Sequence, residues 1–256
     1  MIAILSPAKK LDYKSQPPVG EYTTPAFTDT SVKLIEALRK LSQKEVGQLM
    51  NLSDNLAALN KERFMEWDIP KKPDETTKQA VFAFKGDVYQ GWNPQDSSQD
   101  SLAFAQEHVR ILSGLYGVLR PLDLMKPYRL EMSTKFGVNG ANTLYEVWSN
   151  LITEALNKQL KKTGSDVLLN LASNEYFKAV NAKKLKAKIV TPDFKDNKNG
   201  KYRIVSFYAK KARGMMTRFI CDNQSTDPEK LKLFDHDGYF YNDELSQPHN
   251  PVFTRG

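Results

Sequence analysis

The chain has a single cysteine, Cys221, among its 256 residues. An internal disulfide is impossible, and a cysteine-rich zinc site is excluded. Histidine is nearly as scarce: His108, His236 and His249 lie far apart, and no Glu-x-x-His pair occurs. The sequence points to no metal and no cofactor. No apolar run approaches the ~20 residues that span a bilayer. No Walker or Rossmann glycine loop is present, and Gly114 and Gly117 enclose only the bulky Leu115 and Tyr116. The stretch Met1–Pro7 lacks a basic region and is too short in apolar residues for a secretory signal. The expectation is a cytoplasmic protein.

What the chain has in excess is positive charge, and the excess is local. The net charge is +7, yet residues 183–218 alone hold 12 basic residues against Asp193 and Asp196. The remainder of the chain is slightly acidic, and residues 222–244 are markedly so. A basic block of this kind fits an anionic partner, nucleic acid first and phosphorylated small molecules second. A solvated lysine-rich surface accounts for the same block.

Periodicity places alternating helices and short strands along the chain. Strands are expected at Ile2–Leu5, Ser113–Leu119, Val167–Leu171, Lys188–Val190, Tyr202–Tyr208 and Gly238–Tyr241. Helices are expected at Thr30–Leu41, Ser42–Met50, Ser53–Trp67, Thr76–Phe84, Leu102–Leu112 and Thr143–Leu160. Thr30 or Ser31 would cap the first helix, and Ser42 with Glu45 forms a capping box for the second. The segment Asp196–Gly200 reads as a hairpin turn. No repeat and no long linker divides the chain, so a single α+β domain spanning residues 1–256 is expected.

Three short matches, Ser6-Pro7-Ala8-Lys9, Ser53-Asp54-Asn55 and Lys162-Thr163-Gly164, are those of a penicillin-recognising serine enzyme. Their settings are wrong: Ser6 ends a strand, and Gly164 ends a helix as an ordinary C-cap. The run Leu49–Ala57 is more informative. It joins two helices by a very short link, as in DNA-binding helix-hairpin-helix units, whose backbone N–H groups hold a phosphate. Asn51 and Ser53 replace the two usual glycines, and Lys61 and Arg63 follow on the second helix. On the residues alone, a plain corner between helices is the favoured account. In Ser206–Gly214, aromatic residues beside Lys210, Lys211 and Arg213 suit phosphates and base stacking.

Several longer blocks together resemble the YaaA family of bacterial peroxide-stress proteins. They are Leu5–Lys9 with Leu11–Tyr13, Ala83–Tyr89, Leu112–Asp123, Pro127–Met132, Asn170–Ser173 with Glu175–Phe177, and Ser206–Gly214. Lys10 departs from the threonine expected there. The resemblance implies a cytosolic, peroxide-induced protein that limits damage from free iron. It also implies an unusual mixed fold, with a basic cleft and a helix-hairpin-helix element within residues 42–67.

The resulting expectation is a protein that binds DNA through phosphates, without sequence preference. The contacts assigned are the backbone at Asn51 and Ser53, with Lys61 and Arg63, and a cleft lined by Lys9, Lys85, Arg120, Arg129, Lys210, Lys211 and Arg213. No catalytic residue is assigned. The other reading is an enzyme acting on a nucleotide, a nucleobase or damaged DNA. Lys9, Asp12, Lys85, Asp87, Arg129, Glu131, Ser173 and Glu175 would then share one pocket, with more carboxylates than phosphate binding needs. An iron-handling protein is a third possibility.

Overall fold

The computed structural model describes residues 1–256. In its first half, β1 (Ile2–Leu5) and β2 (Lys10–Leu11) precede α1 (Thr28–Arg39), α2 (Gln43–Met50) and α3 (Asp54–Glu66). Then come β3 (Lys78–Gln79), α4 (Ala80–Ala83), β4 (Phe84–Lys85), α5 (Asp87–Trp92), α6 (Gln99–His108), β5 (Val109–Ser113), β6 (Gly117–Leu119) and β7 (Leu124–Met125). The second half holds α7 (Leu144–Lys162), β8 (Val167–Leu171), α8 (Asn174–Phe177), β9 (Lys188–Val190), β10 (Asp193–Lys198) and β11 (Lys201–Arg203). It ends with α9 (Ser206–Asp222), β12 (Phe240–Gln247) and β13 (Asn250–Arg255). No helix is long and apolar enough to cross a membrane.

The main sheet has the order β6-β5-β1-β8-β9. Strands β5, β1, β8 and β9 run parallel, and β6 is antiparallel at one edge. Every residue of β1, β5 and β8 is buried, so these strands read as continuous apolar runs rather than alternations. Arg110, Ser113 and Asn170 are the polar residues in the runs, and Ser113 Oγ pairs with the Tyr128 hydroxyl. Arg110 donates to the carbonyls of Gln106 and Val109, and burial pushes its pKa down to about 10. Asn170 accepts the backbone N–H of Ala172 and thereby shapes the turn that leaves β8.

The second sheet, β11-β10-β13-β12, packs an aromatic cluster of Phe194, Phe219, Phe234, Tyr239 and Phe253. A continuous apolar core includes residues of both sheets, from Met1 to Phe253. This is the mixed α and β architecture that the periodicity called for.

Several elements differ from the sequence expectation. The segment Tyr202–Tyr208 is not one strand: β11 ends at Arg203, and Ser206 opens the long helix α9. Ala209, Ala212, Met216 and Phe219 or Ile220 are buried at helical spacing, which the alternating start conceals. The expected helix Leu102–Leu112 ends at His108, where a fully buried run beginning with the β-branched Val109 enters the sheet. Thr76–Phe84 holds only one helical turn between two short strands. Ser113–Leu119 is a hairpin rather than a strand. Helix α1 starts at Thr28, and Ser31 does not cap it: its hydroxyl donates to the carbonyls of Phe27 and Leu115. The last strand is a full hairpin, β12–β13, rather than the single short strand Gly238–Tyr241.

Candidate functional site

The chain leaves β1 for β5 on one side and later reaches β8 on the other. In the order β5-β1-β8-β9 the direction of winding therefore reverses between β1 and β8. Open parallel sheets leave a crevice at such a reversal, outside the carboxyl ends of the strands. Here Leu5 lies beside Leu171 at those ends. The turns that follow are tied together, because Ser173 N–H donates to Ser6 Oγ at 2.9 Å.

A cavity of about 450 Å³ opens at this place. Its walls come from the turns after β1 and β8, from the start of α5, from residues 128–131, and from the first turns of α9. Six cations line it (Lys9, Lys10, Lys85, Arg129, Lys210 and Arg213) with three carboxylates (Asp87, Glu131 and Glu175).

Some of these charges neutralise one another. Glu131 Oε1 accepts from Lys9 Nζ at 2.7 Å and from Arg129 at 3.0 Å. Burial alone would raise the Glu131 carboxyl, but these two donors outweigh it and hold the group below the ordinary carboxylate range. Lys85 pairs with Asp12 at 3.2 Å, just outside the cavity. Asp12 also accepts the backbone N–H groups of Ser15 and Lys14, and these contacts hold its carboxyl well below the usual value. Glu175 accepts from the backbone N–H and the hydroxyl of Ser133.

Other charges form no direct ion pair, although Asp193 acts on Arg213 from a distance. Lys10, Lys210 and Arg213 form no ion pair, and no side chain donates to Asp87. Arg213 is half-buried, and desolvation lowers its pKa. Arg129 Nε is buried with no hydrogen-bond partner.

A close helix contact holds two of the walls together. A Cβ built on Gly91 of α5 would lie 2.0 Å from the carbonyl oxygen of Lys211, and one on Gly214 of α9 would lie 1.8 Å from that of Val88. The two backbones touch, which sets Asp87 and Gln90 of α5 alongside Lys210 and Arg213 of α9. Glycine inside a helix costs ~1 kcal/mol against alanine, so its use here is explained by the approach it permits.

The cavity thus gathers Lys9, Lys85, Arg129, Lys210 and Arg213 from the expected set, together with Asp87, Glu131, Ser173 and Glu175. Two expected cleft cations lie elsewhere. Arg120 donates to the buried Asp123 and to the carbonyl of Thr24. Lys211 faces Asp237 at 3.5 Å. Neighbours on a helix point about 100° apart, so Lys210 and Lys211 cannot serve one cavity. Lys10, Gln90, Tyr128 and Tyr176 also line the cavity, although sequence reasoning did not assign them. The reversal in strand order is the signal that points to this end of the sheet, and it depends on topology rather than motif.

The α2–α3 corner is built as a tight hairpin. Asn51 adopts the left-handed conformation at φ 50°, and Ala57 is buried against Gly47. Ser53 occupies the N-cap position of α3, but its side chain makes no capping bond. The two cations on α3 are used internally. Lys61 Nζ donates to the carbonyl of Arg39 at the end of α1, and the half-buried Arg63 reaches Asn60. Phe207 and Tyr208 are exposed at the start of α9, and the Arg255 guanidinium lies 4.5 Å over the Tyr208 ring. No group of three or more His, Cys, Asp or Glu side chains is placed to hold a metal ion.

Comparison with known proteins gives the same assignment along the whole chain. Residues 1–245 match the family model described as peroxide stress protein YaaA. A UPF0246 protein of Shewanella amazonensis is 52% identical over 255 residues, covering 100% of this chain and 99% of that protein. A UPF0246 protein of Hahella chejuensis is 52% identical over 256 residues, and one of Neisseria meningitidis is 50% identical over 255. These cover 99% and 98% of the respective relatives. The protein therefore belongs to the YaaA peroxide stress family, whose members also carry the name UPF0246.

Proposed function

We propose that this peroxide-stress protein binds DNA through backbone phosphates, without sequence preference, and so limits iron-dependent oxidative damage. The observation that carries the reading is the set of cations outside any direct ion pair, Lys10, Lys210 and Arg213, in one cleft. Unpaired cations gain most from phosphate, because no internal ion pair must first be broken. The exposed Phe207, one turn from Lys210, adds a surface for an unstacked base. The uncapped start of α3 behind Asn51 supports a helix-hairpin-helix role, in which backbone N–H groups meet a phosphate. Asp54 in that first turn opposes an anion, and Lys61 and Arg63 are engaged inside the protein, so the hairpin is the weaker half of the interface. DNA covered in this way is shielded from radicals that ferrous iron and peroxide generate.

The test is binding to a fluorescent duplex across a salt series. The slope of log affinity on log salt is expected near −0.9 for each phosphate contacted. Lys210→Glu should weaken binding sharply, and Lys211→Glu, whose lysine already faces Asp237, should weaken it less. A salt-insensitive affinity sinks the proposal. The protective role falls separately if a binding-dead variant still fully protects cells against peroxide.

A second reading is favoured by a different observation: Asp87, Glu131 and Glu175 converge on the same cavity, and Asp87 has no partner. Such an arrangement suits an enzyme acting on a nucleotide, a nucleobase or damaged DNA, with Asp87 as the acid or base. Chromatographic detection of a product that Asp87→Asn cannot form would establish it.

A further inference from the structure

We infer that the cavity between the ends of β1 and β8 is a binding site for a single nucleoside monophosphate. The inference rests on the second reading's choice of this cavity as a ligand site, and not on the binding of duplex DNA.

Topology comes first. The cavity lies at the one point where the parallel strand order reverses, and that is where open α/β sheets take small ligands. Its volume of about 450 Å³ lies within the range of small-ligand pockets.

Charge selects the ligand's head. Lys210 and Arg213 are three residues apart on α9, share one wall and lack ion-pair partners. A phosphate monoester carries about −1.5 to −2 charge near neutrality, so two adjacent cations match a single such group. Arg213 presents a planar fork of N–H donors, the form suited to two phosphate oxygens at once. Half-burial strengthens the demand, because a partly desolvated guanidinium without an acceptor is held at a cost that an anion removes.

The opposite requirement selects the body. Asp87 at the start of α5 lines the same cavity, and the Gly91 and Gly214 contacts hold α5 against α9. A carboxylate near a phosphate site repels the phosphate and must be offset by a donor elsewhere in the ligand. A ring N–H, an exocyclic amine or a sugar hydroxyl supplies it. Inorganic phosphate has no such second end. Leu130, Leu171, Tyr128 and Tyr176 give the cavity an apolar part. Burial keeps both phenols protonated and uncharged. A phosphate joined to a planar ring with N–H donors meets all three requirements.

The experiment is titration calorimetry of the full chain with purine and pyrimidine nucleoside 5′-monophosphates, the matching nucleosides, and inorganic phosphate. At least one monophosphate is expected to bind with a dissociation constant below about 1 mM. Its nucleoside and inorganic phosphate should each bind at least about tenfold more weakly, since each lacks one charge-assisted contact set. Lys210→Ala, at an exposed position, and Arg213→Lys should each weaken the monophosphate at least about threefold. Asp87→Asn should reduce discrimination between the nucleotide and inorganic phosphate. Thermal melting of each variant separates loss of the site from loss of the fold.

The inference is overturned if no monophosphate binds, if inorganic phosphate binds as well as any nucleotide, or if folded variants bind like the wild type. Nucleotide binding without any detectable product leaves it standing and removes the enzymatic reading. Steep salt-dependent duplex binding with no nucleotide binding removes it and leaves the DNA reading intact.

Discussion

Gly214 lies with its Cα against the carbonyl oxygen of Val88, so closely that a Cβ there would sit 1.8 Å from that oxygen. No rotamer relieves this clash, because both partners are backbone. Gly214→Ala must force α5 and α9 apart. The expected loss is about 3 kcal/mol, at the upper end of typical overpacking, measured by urea unfolding. Nucleotide affinity should fall with it, because Asp87 and Arg213, which would hold the two ends of the ligand, move apart. A variant with unchanged stability would show that these helices do not touch as described.

Glu131 binds Lys9 and Arg129 through one oxygen. Glu131→Gln removes one negative charge from the cleft and frees two cations. Duplex affinity at low salt is expected to rise about threefold or more, with a steeper salt slope. Fluorescence anisotropy across a salt series checks this, and weaker binding would place the phosphates elsewhere.

Asp123 is buried, accepts from Thr23 Oγ1 and pairs with Arg120. Burial raises the Asp123 carboxyl above its ordinary value even with Arg120 present. Arg120→Ala should therefore destabilise the protein by about 1–2 kcal/mol, less than for a fully buried pair, because Arg120 is partly exposed and Thr23 still donates to Asp123. Affinity of the folded fraction for DNA should stay nearly constant. A stable variant with lost affinity would restore Arg120 to the interface.

Asp12 has a carboxyl held well below its ordinary value by the Ser15 and Lys14 N–H groups and by Lys85. A depressed folded pKa contributes stability above the unfolded pKa of ~3.9, and that stability is lost as pH falls below it. Wild-type stability should thus drop between about pH 5 and pH 2. Asp12→Asn keeps an acceptor for the N–H groups but cannot titrate, so its acid limb should be shallower. Parallel limbs in urea titrations at several pH values would contradict the contacts described.

Asn51 sits at φ 50°, where residues other than glycine and asparagine are strained. Asn51→Ala should cost about 1–2 kcal/mol, and Asn51→Gly should be close to neutral. Thermal melting distinguishes the two.

What the sequence made legible was local. The buried run Ile2–Leu5, the capping box at Ser42 and Glu45, and the long helix capped by Thr143 each depend on neighbours within a turn or two. The start of α9 was misread because Tyr202–Tyr208 alternates in polarity, while the helical pattern becomes visible only beyond Ala209. Arg120 and Lys61 looked like free cations, but their acceptors are a buried carboxylate and a carbonyl on another helix. The cleft's residues are legible through the family resemblance, but its place in the fold is not. Its walls come from segments near residues 6, 87, 129, 173 and 210, and only the strand order brings these together.

The central place of β1 has a consequence for the order of assembly during synthesis. Its four apolar residues are made long before their partners in β5 and β8. Until Leu171 is available, β1 has at most one neighbour in the sheet. Such distant pairings make folding slow, since loop closure precedes any gain from contact. The cleft waits longer still, because α9 must dock on α5 to complete it. Ligand binding at this site is therefore a reporter of the finished fold, and a chain truncated before Ser206 would lack the wall that carries Lys210 and Arg213.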